Sequence, residues 1–196
     1  MKKRTKEEDI LKVAEQLFET NQSVSVRSIA DKAGVADGLL THHFGSYAGL
    51  VAVLTSLLNK RQAEELENFD GPRGRSQLDI AVMYFRELAK LDLNPKNSRL
   101  RRMSCGMSWQ WKPEDEDKLA PSVMSLLQPL KKLLKFERDV EPDDVLMTLQ
   151  AIYLQALRLA FNNSLLAASV VKTEENQVAA VVQHIKPKFA LILDSK

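Results

Sequence analysis

The sequence predicts an all-α fold. Its 196 residues include only seven glycines and seven prolines, and so few helix-breaking residues favour long helices over a turn-rich β-sandwich or barrel. Apolar residues recur three and four positions apart along most of the chain, which is the period of an amphipathic helix. We find no segment with the alternation typical of a strand and no internal repeat. The length fits one ordinary domain, or a small module joined to a larger one.

Three short helices are predicted in the first fifty residues. The stretch 6–20 has apolar residues one helical turn apart and predicts the first helix. Ser25 is a favourable N-cap for the second helix, and Gly34 stands at the position where a glycine commonly ends a helix. A third helix is predicted over 37–43, with Leu40 on its inner side.

The rest of the chain predicts longer helices. They are expected from residue 47, over 76–91, over 96–111, from residue 113, over 143–170 and from residue 173. The clearest break between them is Gly71-Pro72-Arg73-Gly74. Pro121 and Pro129 are expected to interrupt the helix that begins at residue 113, and Pro187 to kink or end the last one.

Charge does not identify a partner, because 28 basic and 26 acidic residues leave a net charge of only +2. Basic residues are concentrated at the N-terminus instead, where Lys2, Lys3 and Arg4 form a short basic arm. Such an arm could add electrostatic affinity for DNA or enter a minor groove. The alternative interpretation is a solvated tail.

Several classes of protein are excluded by the sequence. Cys105 is the only cysteine, so the chain has no internal disulfide, and this residue is either a small buried side chain or a reactive thiol. Acidic residues follow the basic start where a signal peptide needs apolar ones, and no apolar run approaches the roughly 18 residues of a membrane span. We therefore expect a cytoplasmic protein.

No catalytic or nucleotide-binding motif is present, so we expect no enzyme and no cofactor. Adjacent His42 and His43 point about 100° apart on a helix and predict no metal site.

The second and third helices predict a helix-turn-helix. Ala30 is small enough to let two helices cross closely, Gly34 can adopt a positive φ in the turn, and Leu40 can pack back onto the second helix. Such a unit leaves the outer face of the third helix free to enter a DNA major groove.

A family resemblance rests on these same residues. Residues 8–54 contain the runs ILKVAEQLF and SVRSIADKAGVADGLLTHHFGSYAGLVAVL, which resemble the N-terminal domain of TetR-type bacterial transcriptional regulators. The resemblance implies a homodimer with two DNA-binding heads and a C-terminal core that binds a small ligand and changes the spacing of the heads. The implied domains are 1–50 for DNA binding and 51–196 for ligand binding and dimerisation. The residues that it places at DNA are Ser25, Arg27, Asp37, Gly38, Leu39, Thr41, His42 and Tyr47.

Some of these positions depart from the family pattern. Ala36-Asp37 stands where the family usually has Ser-Lys, and the lost serine N-cap is worth about 1 kcal/mol. Leu39, Thr41 and Tyr47 replace the usual Thr, Tyr and Lys, although Leu39 could touch a thymine methyl group. These departures favour an alternative function, an all-α ligand-binding or protein-interaction module whose degenerate helix-turn-helix lacks specific operator readout.

A candidate ligand pocket lies in the segment 103–111. It gathers two methionines, the cysteine and both tryptophans of the chain, a combination that suits an apolar or aromatic ligand. Ordinary core packing is the alternative interpretation. The candidate ligand-binding residues are Tyr84, Met103, Met107, Trp109, Trp111, Met147, Tyr153 and Phe161.

The helix 143–170 is apolar on more than one side, which predicts that a second surface covers it. Together with the last helix it could form a two-fold, four-helix interface. The candidate interface residues are Val145, Leu149, Ile152, Ala156, Leu159, Val178, Val181, Val182 and Ile185. The sequence thus predicts a homodimeric, ligand-responsive transcriptional regulator, a repressor released from a palindromic operator by a small apolar or aromatic effector.

Overall fold

A computed structural model describes residues 6–20, 24–71, 74–136, 138, 140–162 and 173–193. In these residues the chain forms nine α-helices, one 3-10 turn and no strand, which confirms the all-α prediction. The helices are α1 (Lys6–Glu19), α2 (Val26–Ala33), α3 (Asp37–Phe44), α4 (Tyr47–Leu66), α5 (Gln77–Leu93), α6 (Pro95–Met107), α7 (Pro113–Leu133), α8 (Pro142–Phe161) and α9 (Glu174–Leu193), and the 3-10 turn is Ser108–Gln110. Among the described helices none is long and apolar enough to cross a membrane.

Helix α6 ends earlier than its sequence predicts. The predicted end was residue 111, but the α-helix stops at Met107 and the chain tightens into the 3-10 turn, which Trp111 closes by donating its N–H to the Ser108 carbonyl at 3.2 Å. Pro113 disfavours the helical conformation of Lys112, the residue before it, so helical structure resumes only with α7.

The expected interruption of α7 at Pro121 and Pro129 was wrong, and Pro187 does not end α9. Helix α7 runs through Pro121 and Pro129, and α9 runs through Pro187 to Leu193. A proline inside a helix costs about 3 kcal/mol. Apolar burial on both sides offsets this cost, because Leu126, Leu127 and Leu130 around Pro129, and Ile185 and Phe189 around Pro187, are fully buried. The predicted continuation of α8 to residue 170 lies outside the described residues.

The described residues form two compact units. One contains α1, α2, α3, the part of α4 up to Leu58, α6 and α7 up to Ser122. We call it the N-terminal unit. The other, the C-terminal unit, contains the rest of α4 and α7 together with α5, α8 and α9. Helix α9 packs against both α5 and α8 there, around a cluster of aromatic rings from Tyr84, Phe85, Tyr153 and Phe189.

Candidate nucleic-acid interface

A three-residue turn joins α2 to α3. Gly34 has φ 65°, the left-handed conformation that glycine adopts without steric cost, and its N–H reaches the end of α2. Val35 donates its N–H to the Ala30 carbonyl at 3.0 Å, which is the Schellman pattern of a helix C-terminus. Ala30 itself is fully buried. The small residue and the glycine therefore have the places that the helix-turn-helix prediction requires.

A reciprocal cap fixes the start of α2. The Ser25 hydroxyl accepts the Ser28 N–H at 3.1 Å, and the Ser28 hydroxyl accepts the Ser25 N–H at 2.9 Å. This is a capping box in which a serine takes the place of the usual glutamate. It satisfies two backbone donors and confirms Ser25 as the N-cap. Arg27, in the first turn of α2, is exposed.

Helix α3 has one buried and one exposed side. Leu40 and Phe44 belong to the core of the N-terminal unit, and Leu39 is half-buried against it. The outward positions expose their side chains or backbone to solvent. They are Asp37, Gly38, Thr41 and His42.

The first turn of α3 lacks a side-chain cap. Its N-cap residue is Ala36, which makes no capping hydrogen bond, and Asp37 follows as an exposed acidic residue that suits the positive end of the helix dipole. No basic residue lies on α3 apart from its two histidines, whose rings meet edge to face at 5.4 Å. Helix α3 therefore adds little positive charge to this surface, and the basic arm of Lys2, Lys3 and Arg4 lies outside the described residues.

Tyr47 connects the start of α4 to the start of α2. Its hydroxyl donates to the Val24 carbonyl at 3.1 Å, and its ring is half-buried against the core. Burial raises the pKa of the Tyr47 phenol, and the nearby positive charge of Arg99 opposes that shift. The neutral phenol thus remains a hydrogen-bond donor that fixes α4 against the beginning of α2.

The comparison with known protein families agrees with the helix-turn-helix geometry of α2 and α3. Residues 10–54 match the model of the family described as bacterial regulatory proteins, tetR family. These residues are a TetR-family N-terminal domain. Among curated proteins none matches the chain significantly.

Solved structures share the fold along nearly the whole chain. Bacillus subtilis FadR, a transcriptional regulator solved with stearoyl-CoA, is 15% identical with a TM-score of 0.61, over 95% of this chain and 97% of that one. Thermus thermophilus FadR, a TetR-family repressor solved with lauroyl-CoA, is 17% identical with a TM-score of 0.61, over 95% and 92%. Salmonella enterica GusR is 18% identical with a TM-score of 0.54, over 96% and 95%. At these identities the likeness shows the TetR-like fold.

The predicted ligand-binding residues fall in both compact units. Met103 and Met107 are half-buried against the core of the TetR-type domain. Trp111 is half-buried, with an indole N–H that is buried and has no hydrogen-bond partner, and the side chain of Trp109 lies outside the described part of the structure. The remaining residues, Tyr84, Met147, Tyr153 and Phe161, belong to the C-terminal unit.

In the C-terminal unit the two predicted tyrosines are core residues. Tyr84 donates its hydroxyl to the Leu126 carbonyl, and Tyr153 donates to the Asp92 carboxylate at 2.7 Å. Both rings are fully buried, whereas Met147 is 44% exposed. Within the C-terminal unit, therefore, the two tyrosines belong to the core and Met147 lies at the surface.

The predicted dimer residues divide by burial. Five of them are already buried within the chain, namely Leu149, Ala156, Val178, Val181 and Ile185. The chain's own side chains cover these five, because α9 packs on α8 and α5. Four keep an accessible part, namely Val145, Ile152, Leu159 and Val182.

Sequence reasoning missed that α6 packs on the TetR-type domain. Leu100 belongs to the core of that domain, and α6 contacts α1. Polar positions dominate α6, so its apolar periodicity is weak, and the sequence provides no signal for which helix it contacts. The charge of Arg99 on α6 reaches Tyr47, which places a basic residue close to the interface.

Proposed function

We propose that this chain is a DNA-binding transcriptional regulator whose TetR-type domain inserts α3 into the major groove of an operator. The observation that supports this most is the division of α3, with Leu40 and Phe44 buried and its opposite side exposed and polar. Capping hydrogen bonds at both ends of α2 fix the turn that leads into α3. In this orientation Thr41 and His42 would read base edges, while Ser25 and Arg27 would contact phosphates.

The regulator acts as a homodimer in this proposal. One short recognition helix reads too few base pairs for useful specificity, and a two-fold dimer doubles the site. The TetR-like fold supports this assembly, and so do the apolar residues of α8 and α9 that keep accessible surface. Ligand control is proposed as well, because both FadR proteins of the same fold hold acyl-CoA molecules. Release of the operator by a small effector would make the protein a repressor.

A second candidate is a helical ligand-binding or interaction module without specific operator readout. The uncapped Ala36 and the acidic Asp37 at the start of α3 favour it, because a carboxylate near phosphates is repulsive. The two functions differ in sequence preference, which is measurable.

Arg27→Ala and Thr41→Ala should weaken DNA binding in different ways. Titration of labelled duplexes selected from a random pool would measure both. Loss of the Arg27 phosphate contact should lower affinity for every duplex and reduce the slope of log K against log salt by about 1. Loss of Thr41 should relax preference at one base pair, worth about 1–3 kcal/mol. Arg86→Ala, an exposed change on α5, is the matched control, and a loss equal to that of Arg27→Ala would contradict the assignment.

Ile152→Glu should split the homodimer, because a carboxylate placed in an apolar interface is left without a partner. Sedimentation at micromolar concentration should give a dimer for the wild type and a monomer for the variant. Circular dichroism would show that the variant is folded. Met83→Glu is the control, since Met83 is a 40% exposed apolar residue on α5 and should leave the dimer intact. A monomeric wild type would refute the assembly.

A further inference from the structure

A groove runs along one side of α6 in the N-terminal unit. It encloses about 470 Å³ and is lined by Ser98, Arg99, Arg102, Met103, Gly106 and Met107. These positions repeat in neighbouring pairs four residues apart, so they form one continuous stripe about 13 Å long on the helix surface. Pockets for small molecules typically enclose about 300–1,000 Å³. The groove therefore has the size of a small-ligand site.

The N-terminal end of the groove is cationic. Arg99 is half-buried, and its Nη1 atom is buried with no hydrogen-bond partner. A buried donor without an acceptor costs about 1–3 kcal/mol, and more when it is charged. Arg102 lies one helical turn further along the same stripe, and no acidic residue is among the lining residues. Arg99 and Arg102 thus place two guanidinium groups on this stripe, and guanidinium groups form strong, charge-assisted hydrogen bonds to anionic oxygen atoms.

The C-terminal end of the groove is apolar. Met103 and Met107 have flexible, polarizable side chains that adapt to irregular apolar ligands. Gly106 leaves open space between them, since a Cβ built at this position meets no atom within 4 Å. One end of the groove thus fits a charged group and the other an apolar chain.

We propose that this groove binds a small amphipathic anion, with a carboxylate or phosphate head group on Arg99 and Arg102 and an apolar chain along Met103 and Met107. The inference rests on the proposed function, for which it names the chemical class of the effector and a site on α6.

Helix α6 connects this groove to the helix-turn-helix. Met103 and Met107 line the groove and also pack against the core that holds α2 and α3. Arg99 acts electrostatically on Tyr47, which is hydrogen-bonded to the start of α2. A ligand that moves these side chains therefore changes how α6 supports the TetR-type domain. By linkage, ligand and DNA must weaken each other's binding by the same factor.

Calorimetric titration of the full chain with ten-carbon probes tests the site without DNA. Decanoate and decyl phosphate distinguish the two head groups, and decan-1-ol supplies the same chain without charge. We expect at least one anion to bind at least about tenfold more tightly than the alcohol, since hydrogen bonds to charged groups are worth about 1.5–3 kcal/mol. Arg99→Gln should remove about tenfold or more of that affinity, and Arg86→Gln should not. Arg102→Gln provides a second variant should the first fail to fold.

Several outcomes would overturn the proposal. Equal binding of the alcohol would remove the anion preference, and unchanged anion binding by Arg99→Gln and Arg102→Gln would place the site elsewhere. Weaker DNA binding by ligand-free Arg99→Gln, with a smaller salt slope, would make Arg99 a phosphate contact instead. Anion binding that leaves DNA affinity unchanged would refute the effector role. The calorimetry contains no DNA, so it tests the ligand site whether or not the DNA-binding proposal holds.

Discussion

Gly49→Ala is expected to disrupt the N-terminal unit. A Cβ on Gly49 would lie 2.1 Å from the Phe44 carbonyl oxygen and 3.0 Å from the Asp115 carboxylate. The closer atom is backbone at the end of α3, so a side-chain rotation cannot relieve the clash. The Gly49 N–H also donates to the Ser46 hydroxyl at 2.9 Å, which caps α4. Relief of the clash therefore requires α3 and the start of α4 to separate.

We expect Gly49→Ala to lose about 3 kcal/mol or more of unfolding free energy, at the upper end of overpacking changes. DNA binding should fall with it, because the end of α3 moves. Urea unfolding followed by circular dichroism would measure the loss. Gly38→Ala is the matched control, since its Cβ would meet nothing within 4 Å and a helical alanine should add up to about 1 kcal/mol. Equal stability of the two variants would contradict the close approach of α3 and α4.

Asp92→Leu should be similarly costly in the C-terminal unit. Asp92 is 1% exposed and accepts two hydrogen bonds, from the Gln62 amide at 2.8 Å and from the Tyr153 hydroxyl at 2.7 Å. These bonds join α4, α5 and α8. Burial raises the pKa of the neighbouring Tyr84 phenol, and the charge of Asp92 raises it further. Leucine would remove the acceptor from both buried donors.

The expected loss for Asp92→Leu is about 3 kcal/mol, since each bond to a charged group is worth about 1.5–3 kcal/mol and the donors lose their acceptor. Denaturant unfolding would measure it. Glu87→Leu removes a carboxylate from the same helix, where its pair with Lys90 is solvent-accessible, and should cost at most about 1 kcal/mol. Tyr153→Phe should lie between the two. Similar losses for Asp92→Leu and Glu87→Leu would refute the role of Asp92 in joining the helices.

The helix-turn-helix could be predicted because its determinants are local. Ser25 caps the helix that begins at the next residue, and Gly34 adopts its positive φ within a three-residue turn. Leu40 and Phe44 are buried where the helical period places them. Each of these features depends on a few neighbouring residues, so the sequence contains the required information.

The partners of each helix could not be predicted in the same way. Periodicity marks Leu149, Val181 and Ile185 as apolar, but it does not tell whether the same chain or a second chain covers them, and the chain itself buries all three. Packing of α6 on the N-terminal unit depends on contacts distant in sequence. The buried Nη1 atom of Arg99, which has no hydrogen-bond partner, is a feature of that packing, so composition alone could not reveal the groove.

Selection of bound fragments from random duplex DNA by the full chain tests the central claim, that the exposed side of α3 reads an operator. The selection should be carried out at low salt, because phosphate contacts weaken as salt rises. We predict enrichment of a roughly palindromic motif whose half-sites lie about one helical turn apart, and, for Thr41→Ala, the same motif with relaxed preference at one base pair of each half-site. Sequences that remain random after repeated selection at low salt would contradict the account and favour a helical module without operator readout.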